Sequence, residues 1–204
     1  MNLLRSPWHI VFFVSFLIYL GIRSRYARQL RGVESVHRRV DGLEVFLLVL
    51  VIGTSVLLPV LYLFTPLLAF ADYRLPAFAP WCGAVLMIPA LWLFWRSHAD
   101  LGRNWSATLE LRKDHQLVTH GVYRLIRHPM YAAIFLFALA QAMLLSNWLA
   151  GWSAFVPFLL MYVLRTPREE RMMCEHFGQA YQDYMQRTGR LFPRLIGSRE
   201  KRQE

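Results

Sequence analysis

Apolar residues fall into five runs separated by polar stretches. The first covers about Pro7 to Ile22, and the second runs from Leu43 to Ala71, apolar apart from Glu44, Thr54, Ser55 and Thr65. A third lies between about Trp81 and Trp95, and Tyr131 to Leu145 and Trp148 to Leu164 complete the set. A helix of roughly 20 apolar residues crosses a bilayer, so each run predicts a span. Pro59 and Pro66 predict a kink or an end in the long second run. The last two runs are joined only by Ser146 and Asn147, which predicts a helical hairpin turning at the far face or within the membrane. The expected fold is an all-α integral membrane protein with five transmembrane helices forming one domain. Residues 1–95 supply three spans, and residues 96–204 supply a polar loop, the helical hairpin and a polar tail.

Composition supports this class. Hydrophobic residues make up 56% of the chain and charged ones 18%, too apolar for an ordinary soluble domain. The first run has no small-residue cleavage site after it and reads as a retained span rather than a signal peptide. The net charge of +10 comes from basic residues set between the apolar runs, a pattern that fits anionic lipid headgroups rather than nucleic acid. Of 23 Lys and Arg, only Arg5 and Arg74 fall on one side of the predicted spans. By the positive-inside rule the amino terminus is outside, and the Arg23–Arg39 loop, the 96–130 loop and the carboxyl terminus are cytoplasmic. Cys82 and Cys174 are far apart in sequence and predict neither a disulfide framework nor a zinc site.

The loop and tail carry local signals. ATLEL and QLVTH flank a turn-like RKDH and predict a short hairpin against the membrane. Within HQLVTHGVYRLIRHPMY (His115 to Tyr131), His128 precedes Pro129, so the imidazole sits where extended loop becomes helix. That helix start presents unpaired N–H groups beside Arg127 and favours an anion; the alternative is a basic membrane anchor with a helix-starting proline. In the tail, Thr166 and Glu169 have capping-box spacing with Pro167 at the first helical position, predicting a new helix. Glu170, Cys174, Phe177, Tyr181 and Tyr184 then form an amphipathic stripe that can fold back over the loop, interrupted at Gly178 and stopped at Gly189.

Several chemistries lack their motifs. There is no GxGxxG or GxxxxGK[ST], no HExxH or other metal-ligand spacing, and no GxSxG elbow. What remains is a polar constellation at the membrane edge: His115, Arg127, His128 and Tyr131 from the loop, with Arg165, Arg168, Glu169 and Glu170 from the tail. Plainer roles compete at several positions. Glu169 reads as a helix cap, Arg165 as a snorkelling interfacial residue, Gly121 as a turn residue, and Tyr181 and Tyr184 as packing. Trp105 is either an interfacial anchor or a pocket wall, and Gln141 either joins helices or lines an acceptor path. His120 and His176 face solvent.

The span DLGRNWSATLELRKDHQLVTHGVYRLIRHPMY, with RTPREE and FGQAYQDYMQRTGRLFP after it, resembles the isoprenylcysteine carboxyl methyltransferase family, especially its prokaryotic members. The resemblance covers roughly the second half of the chain, while the first 95 residues match in span pattern. It implies an integral membrane carboxyl O-methyltransferase that uses S-adenosylmethionine, held by the cytoplasmic loop and tail, with a prenylated or lipid-like acceptor entering between helices. His115, Gln116, Leu117, Val118, Gly121 and Tyr123 match pocket-lining positions for the cofactor. Arg127 and His128 match its amino-acid end, with Tyr131 nearby; Glu170 matches an acidic cofactor ligand and Arg165 a catalytic arginine near the acceptor. No metal is implied. Eukaryotic members carry a longer acidic run where this chain has Pro167 to Glu170. Other readings are an amine-directed phospholipid methyltransferase, a non-catalytic scaffold that binds anionic lipid, and, more remotely, a membrane reductase using a nicotinamide cofactor.

Overall fold

The computed structural model describes residues 6–29, 35–38, 41–106, 108, 110–112 and 116–194. Helices dominate: α1 (Pro7–Gln29), α2 (Gly42–Phe64), α3 (Ala79–Leu101), α4 (Pro129–Leu145), α5 (Trp148–Trp152), α6 (Phe155–Phe177) and α7 (Gln179–Arg187), with two short strands, β1 (Ser35–Arg38) and β2 (Glu110–Arg112). Four helical stretches are long and apolar enough to cross a membrane: Pro7–Gln29, Gly42–Phe64, Ala79–Asn104 and Trp148–Phe177. The 17-residue α4 is shorter, at the lower limit of about 17 residues for a crossing. With α4, five apolar helical stretches stand where the hydrophobic runs predict spans. One end of the bundle carries the loop before α4 and the tail; the other carries the α2–α3 link and the hairpin turn.

Several boundaries follow from local chemistry. Asp41 caps α2, its carboxylate accepting the Glu44 N–H at 2.9 Å. Pro59 is accommodated inside α2, which ends at Thr65, before Pro66. The hairpin turn is built by Ser146, in the left-handed conformation at φ 48°, and by Asn147, whose Oδ1 accepts the N–H groups of Leu149 and Ala150. Asn147 Nδ2 donates to Leu68 O at 2.7 Å and to Asp72 Oδ1 at 2.8 Å, fastening the turn to the α2–α3 link. The fifth run is not one helix: the chain turns at Ser153 and Ala154, so α5 and α6 are separate. Gln141 braces that break, donating from Nε2 to Ala150 O at 2.7 Å and to Ser153 Oγ at 2.9 Å.

The core sits between α1, α2, α3 and α4 near the hairpin end, around Phe12, Leu63, Met87, Phe137 and Leu145. The α3–α4 contact is the most extensive, and Gly83 is its close-approach point: a Cβ there would lie 2.9 Å from Met143 Cβ and 3.2 Å from Ala140 O. Small residues at such crossings let helix backbones meet where lipid gives no hydrophobic drive.

Two local expectations are overturned. Among the described residues, QLVTH forms no strand, and β2 pairs antiparallel not with it but with β1 from the α1–α2 loop, with His37 opposite Leu111 and Arg38 opposite Glu110. The Gln116 N–H instead donates to Asn104 Oδ1 at 2.9 Å. A strand signal fixes neither its partner nor its register, and here the partner edge lies more than 70 residues upstream. The second correction concerns the Thr166–Glu169 box: α6 runs unbroken from Phe155 to Phe177 with Pro167 inside it. A capping pattern is local and does not register that the preceding residues are already helical. Breaking the helix at the membrane edge would also free backbone groups that lipid cannot satisfy.

Because Asn147 both caps α5 and ties the hairpin to the α2–α3 link, Asn147→Ala is expected to destabilise the fold by about 2 kcal/mol. The measurement is the thermal unfolding midpoint of the purified protein, and an unchanged midpoint would refute this role for the turn.

Candidate functional site

The loop after α3 is shaped by Asp100, near the end of that helix. Its Oδ2 accepts the Val122 N–H at 2.9 Å, and Arg96 pairs with its Oδ1 at 2.8 Å. Gly121 stands at φ 57°, and a Cβ on it would come within 1.9 Å of Asp100 Oδ2. Only glycine meets both demands. A 3-10 turn over Gly121–Arg124 then delivers Tyr123 to the interior, and His128 and Pro129 open α4.

The tail returns to this loop. After Gly178, at φ 56°, α7 turns back, and Tyr184 donates its hydroxyl to Tyr123 O at 2.6 Å. The chain beyond α7 runs beside the loop: Arg127 N–H donates to Gly189 O at 2.8 Å and His128 N–H to Arg190 O at 2.9 Å. Burial holds the Tyr123 and Tyr184 phenols well above their ordinary range, so both stay protonated donors.

Side chains lock the junction. Glu170 accepts from Arg127 Nε at 3.1 Å, from Arg190 Nη2 at 2.5 Å and Nε at 3.1 Å, and lies 3.4 Å from His128 Nε2. Arg127 Nη1 donates to Met185 O at 3.0 Å and to Thr188 O. The hydrogen bond to Glu170 raises the Arg190 guanidinium further above its ordinary range. Glu169, the adjacent residue, points elsewhere: its Oε2 accepts the Tyr131 hydroxyl at 2.6 Å and its Oε1 lies 4.0 Å from His128 Nδ1. One helical turn earlier, Arg165 is buried and pairs with the buried Glu44 of α2 at 2.9 Å.

These groups surround a cavity of about 320 Å³, within the range of roughly 300–1,000 Å³ usual for small-molecule sites. Its mouth is polar and aromatic, with Gln116, Leu117, Val118, Tyr123, Arg127, His128, Glu169, Tyr181 and Tyr184 on the wall. From Arg165 inward the lining turns apolar, through Met161, Phe158, Leu48 and Val51, and ends near Gln141 and Ala154.

The family profile for phospholipid methyltransferase matches residues 78–180, from the start of α3 to the start of α7. The chain belongs to this family. It is also 28% identical over 126 residues to a probable protein-S-isoprenylcysteine O-methyltransferase of Oryza sativa subsp. indica, covering 61% of this chain and 66% of that one. A protein-S-isoprenylcysteine O-methyltransferase of Tribolium castaneum is 35% identical over 98 residues, covering 47% of this chain and 35% of its own length. The match spans less than two thirds of both relatives. The solved structure of a eukaryotic intramembrane Ras methyltransferase, isoprenylcysteine carboxyl methyltransferase, is 26% identical with a TM-score of 0.48, covering 73% of this chain and 50% of that one. The resemblance carried by the loop and tail motifs is borne out by the family profile and by the Oryza and Tribolium relatives.

The geometry sorts the sequence-predicted residues. Gln116, Leu117, Val118, Tyr123, Arg127, His128, Tyr131 and Arg165 all line the cavity. His115 lies outside the described residues. Gly121 shapes the turn and is absent from the wall, and Glu170 is absent from it too, being turned toward Arg190. Glu169 is the carboxylate on the cavity wall, not the helix cap its spacing suggests, because α6 has no start there. Arg168 lies outside the cluster, paired with Asp41 at 2.5 Å. Trp105 is buried in the cavity wall beneath Arg23, whose guanidinium lies 5.3 Å from its ring. Gln141 both joins helices and lines the cavity, and Tyr181 and Tyr184 are wall residues. Sequence reasoning missed Arg190 and Glu44. Arg190 sat inside a recognised motif without being singled out, and Glu44 was visible only as the one acid in an apolar run.

Removing Glu170 leaves Arg127 and His128 buried without their shared acceptor. Glu170→Ala is therefore expected to cost about 3 kcal/mol of stability, while Arg190→Ala, at a half-exposed side chain, costs far less. Chemical or thermal unfolding of both variants checks this, and equal effects would refute the hub.

Proposed function

We propose that this chain is a membrane methyltransferase that uses S-adenosylmethionine to esterify the carboxylate of a prenylated cysteine or a similar lipid-like acid. The observation that carries the reading is one cavity that begins in a polar mouth built from loop and tail and continues into an apolar corridor between spans. A small polar donor and an amphiphilic acceptor can meet where the two limbs join.

The residues at the mouth fit the cofactor by chemistry. The start of α4, with the Met130 and Tyr131 N–H groups ahead of the first intrahelical bond from Ala132 to His128 O, suits a carboxylate. Glu169 suits ribose hydroxyls or an ammonium group, and the faces of Tyr123, Tyr131 and Trp105 suit a cationic sulfur and a flat base. When bound, S-adenosylmethionine would supply an electrophilic methyl group on a sulfonium, with a neutral thioether as its leaving group.

Arg165 stands where the polar wall gives way to Met161 and Phe158, so it would pair with the acceptor's carboxylate and hold it at the boundary. An acceptor carboxylate is ionised at neutral pH, so no side chain has to remove a proton. The chain's contribution is then positioning inside a wall closed by α7 and the loop. Charge balance supports an acid over an amine. Arg127, Arg165 and Arg190 face Glu44, Glu169 and Glu170, and Arg23 on the cavity wall adds a fourth cation. A net-cationic donor there is balanced by an anionic acceptor. The family's name favours a second reading, methylation of a phospholipid amine. The asymmetry of basic residues supports an arginine-rich end that faces the cytoplasm.

Titrating the purified protein with S-adenosylmethionine is expected to give saturable binding that His128→Ala and Glu169→Ala weaken at least tenfold, about 1.4 kcal/mol. Unchanged binding in both would reject the site. Radiolabelled methyl transferred to a prenylcysteine acceptor should be released by mild base, as from an ester; a base-stable product would favour the amine reading.

A further inference from the structure

The cavity's apolar limb stops short of the hairpin end. Its wall stops at one level on four elements: Phe16 on α1, Val56 on α2, Gln141 on α4 and Ala154 at the start of α6. Within two turns beyond that level, Phe12, Leu63, Leu145 and Ala150 are each at most 1% exposed, so buried side chains of α1, α2, α4 and α5 stand between the limb and the hairpin end. The stop is also rigid. Gln141 Nε2 is held by Ala150 O and Ser153 Oγ, tying α4 to α5, and the Thr54 hydroxyl of α2, bonded to Leu50 O at 2.7 Å, also lies 3.0 Å from Ser153 O. A floor of loose apolar side chains could yield to a longer guest, but this one is braced by polar bonds that lipid cannot replace.

The limb has a definite length. From Arg165 to Ala154 is eleven residues, or about 16 Å at a rise of 1.5 Å per residue. One leaflet of a bilayer holds about 15 Å of hydrocarbon, half of a core of roughly 30 Å. The open end carries the buried Arg165 guanidinium and the far end carries the Gln141 strut.

We propose that this limb is a ruler for a single hydrocarbon tail, with Arg165 fixing the acidic head and the Gln141, Ala154 and Val56 floor limiting how long a tail can seat. This inference rests on the methyltransferase reading above and adds what that reading leaves open: a maximum tail length set by named residues. Ala154→Leu and Val56→Phe, on different helices, each raise the floor. Gln141→Ala lowers it by removing both the side chain and its brace.

The test uses the full-length protein in lipid nanodiscs with N-acetylcysteine acceptors carrying S-geranyl, S-farnesyl or S-geranylgeranyl tails. Calorimetric binding of S-adenosylmethionine serves as the check that each variant keeps its mouth. The readout is the ratio of kcat/KM between tails, which a general loss of activity does not move. Raising the floor is expected to lower the farnesyl-to-geranyl ratio about tenfold in both variants, the effect of roughly one misplaced methylene or more in an apolar pocket. Gln141→Ala is expected to raise the geranylgeranyl-to-farnesyl ratio. Ratios unchanged in all three variants would overturn the ruler while leaving the methyltransferase reading intact; equal turnover of a two-tailed phosphatidylethanolamine would overturn the ruler and the carboxylate reading together. A wild-type protein that binds cofactor but methylates no single-tailed acid would instead overturn that reading and the ruler with it.

Discussion

The site depends on one carboxylate. Glu170 is buried at the end of a span and draws three basic side chains from two directions: Arg127 and His128 from the loop before α4, and Arg190 from the chain after α7. A buried carboxylate is costly unless its lone pairs are filled, so the arrangement in which all three donors converge is strongly selected over looser ones. That convergence brings residues 126–128 alongside 189–190, and the backbone bonds from Arg127 and His128 follow. The mouth is closed by the same contacts, because Tyr184 can reach Tyr123 O only once α7 has folded back. Electrostatics in a dry setting here does what hydrophobic burial does in a soluble protein.

The bilayer explains why the polar groups gather at one end. Along α6 the chain passes from Phe158 and Met161 to Arg165, Glu169 and Glu170 within a few turns, and nothing in the backbone marks the change. Arg165 is deep enough to need a partner, and α2 supplies Glu44 in its first turn, where the Asp41 cap fixes the helix start. The buried pair and the exposed Asp41–Arg168 pair lie a turn apart on the same two helices, so α2 and α6 are pinned in register beside the cavity. A polar mouth and an apolar corridor can share a wall because that register places the last polar group and the first apolar ones next to each other.

Much of this was legible in the sequence, for reasons that can be named. The five crossings were readable because lipid demands long apolar helices, and hydropathy reports that demand directly. The meeting of loop and tail was readable because HQLVTHGVYRLIRHPMY and RTPREE place opposite charges and aromatic rings at the same membrane edge. The pairing of β1 with β2 was hidden because strand partners are not encoded locally. The capping-box reading of Thr166 failed because a motif that starts a helix in solution cannot reveal that a membrane span already runs through it. Glu44 and Arg190 were hidden for another reason: each matters only through a partner more than 15 residues away, and neither sits in a pattern of its own.

The division between Glu169 and Glu170 shows how little backbone such a site requires. Neighbouring residues on a helix point about 100° apart. One therefore faces the cavity, with the Tyr131 hydroxyl and His128 beside it, and the other faces the tail and its arginines. Neither position can be shifted by one residue without sending the hub carboxylate into the cavity or the cavity carboxylate into the tail. His128 lies between them, 3.4 Å from Glu170 through Nε2 and 4.0 Å from Glu169 through Nδ1, so a single imidazole reads both. An unbroken α6 is the condition for this arrangement. Had the helix restarted at Thr166, the angle between the two glutamates and the spans below them would have been free to vary, and the corridor would have lost its fixed relation to the mouth.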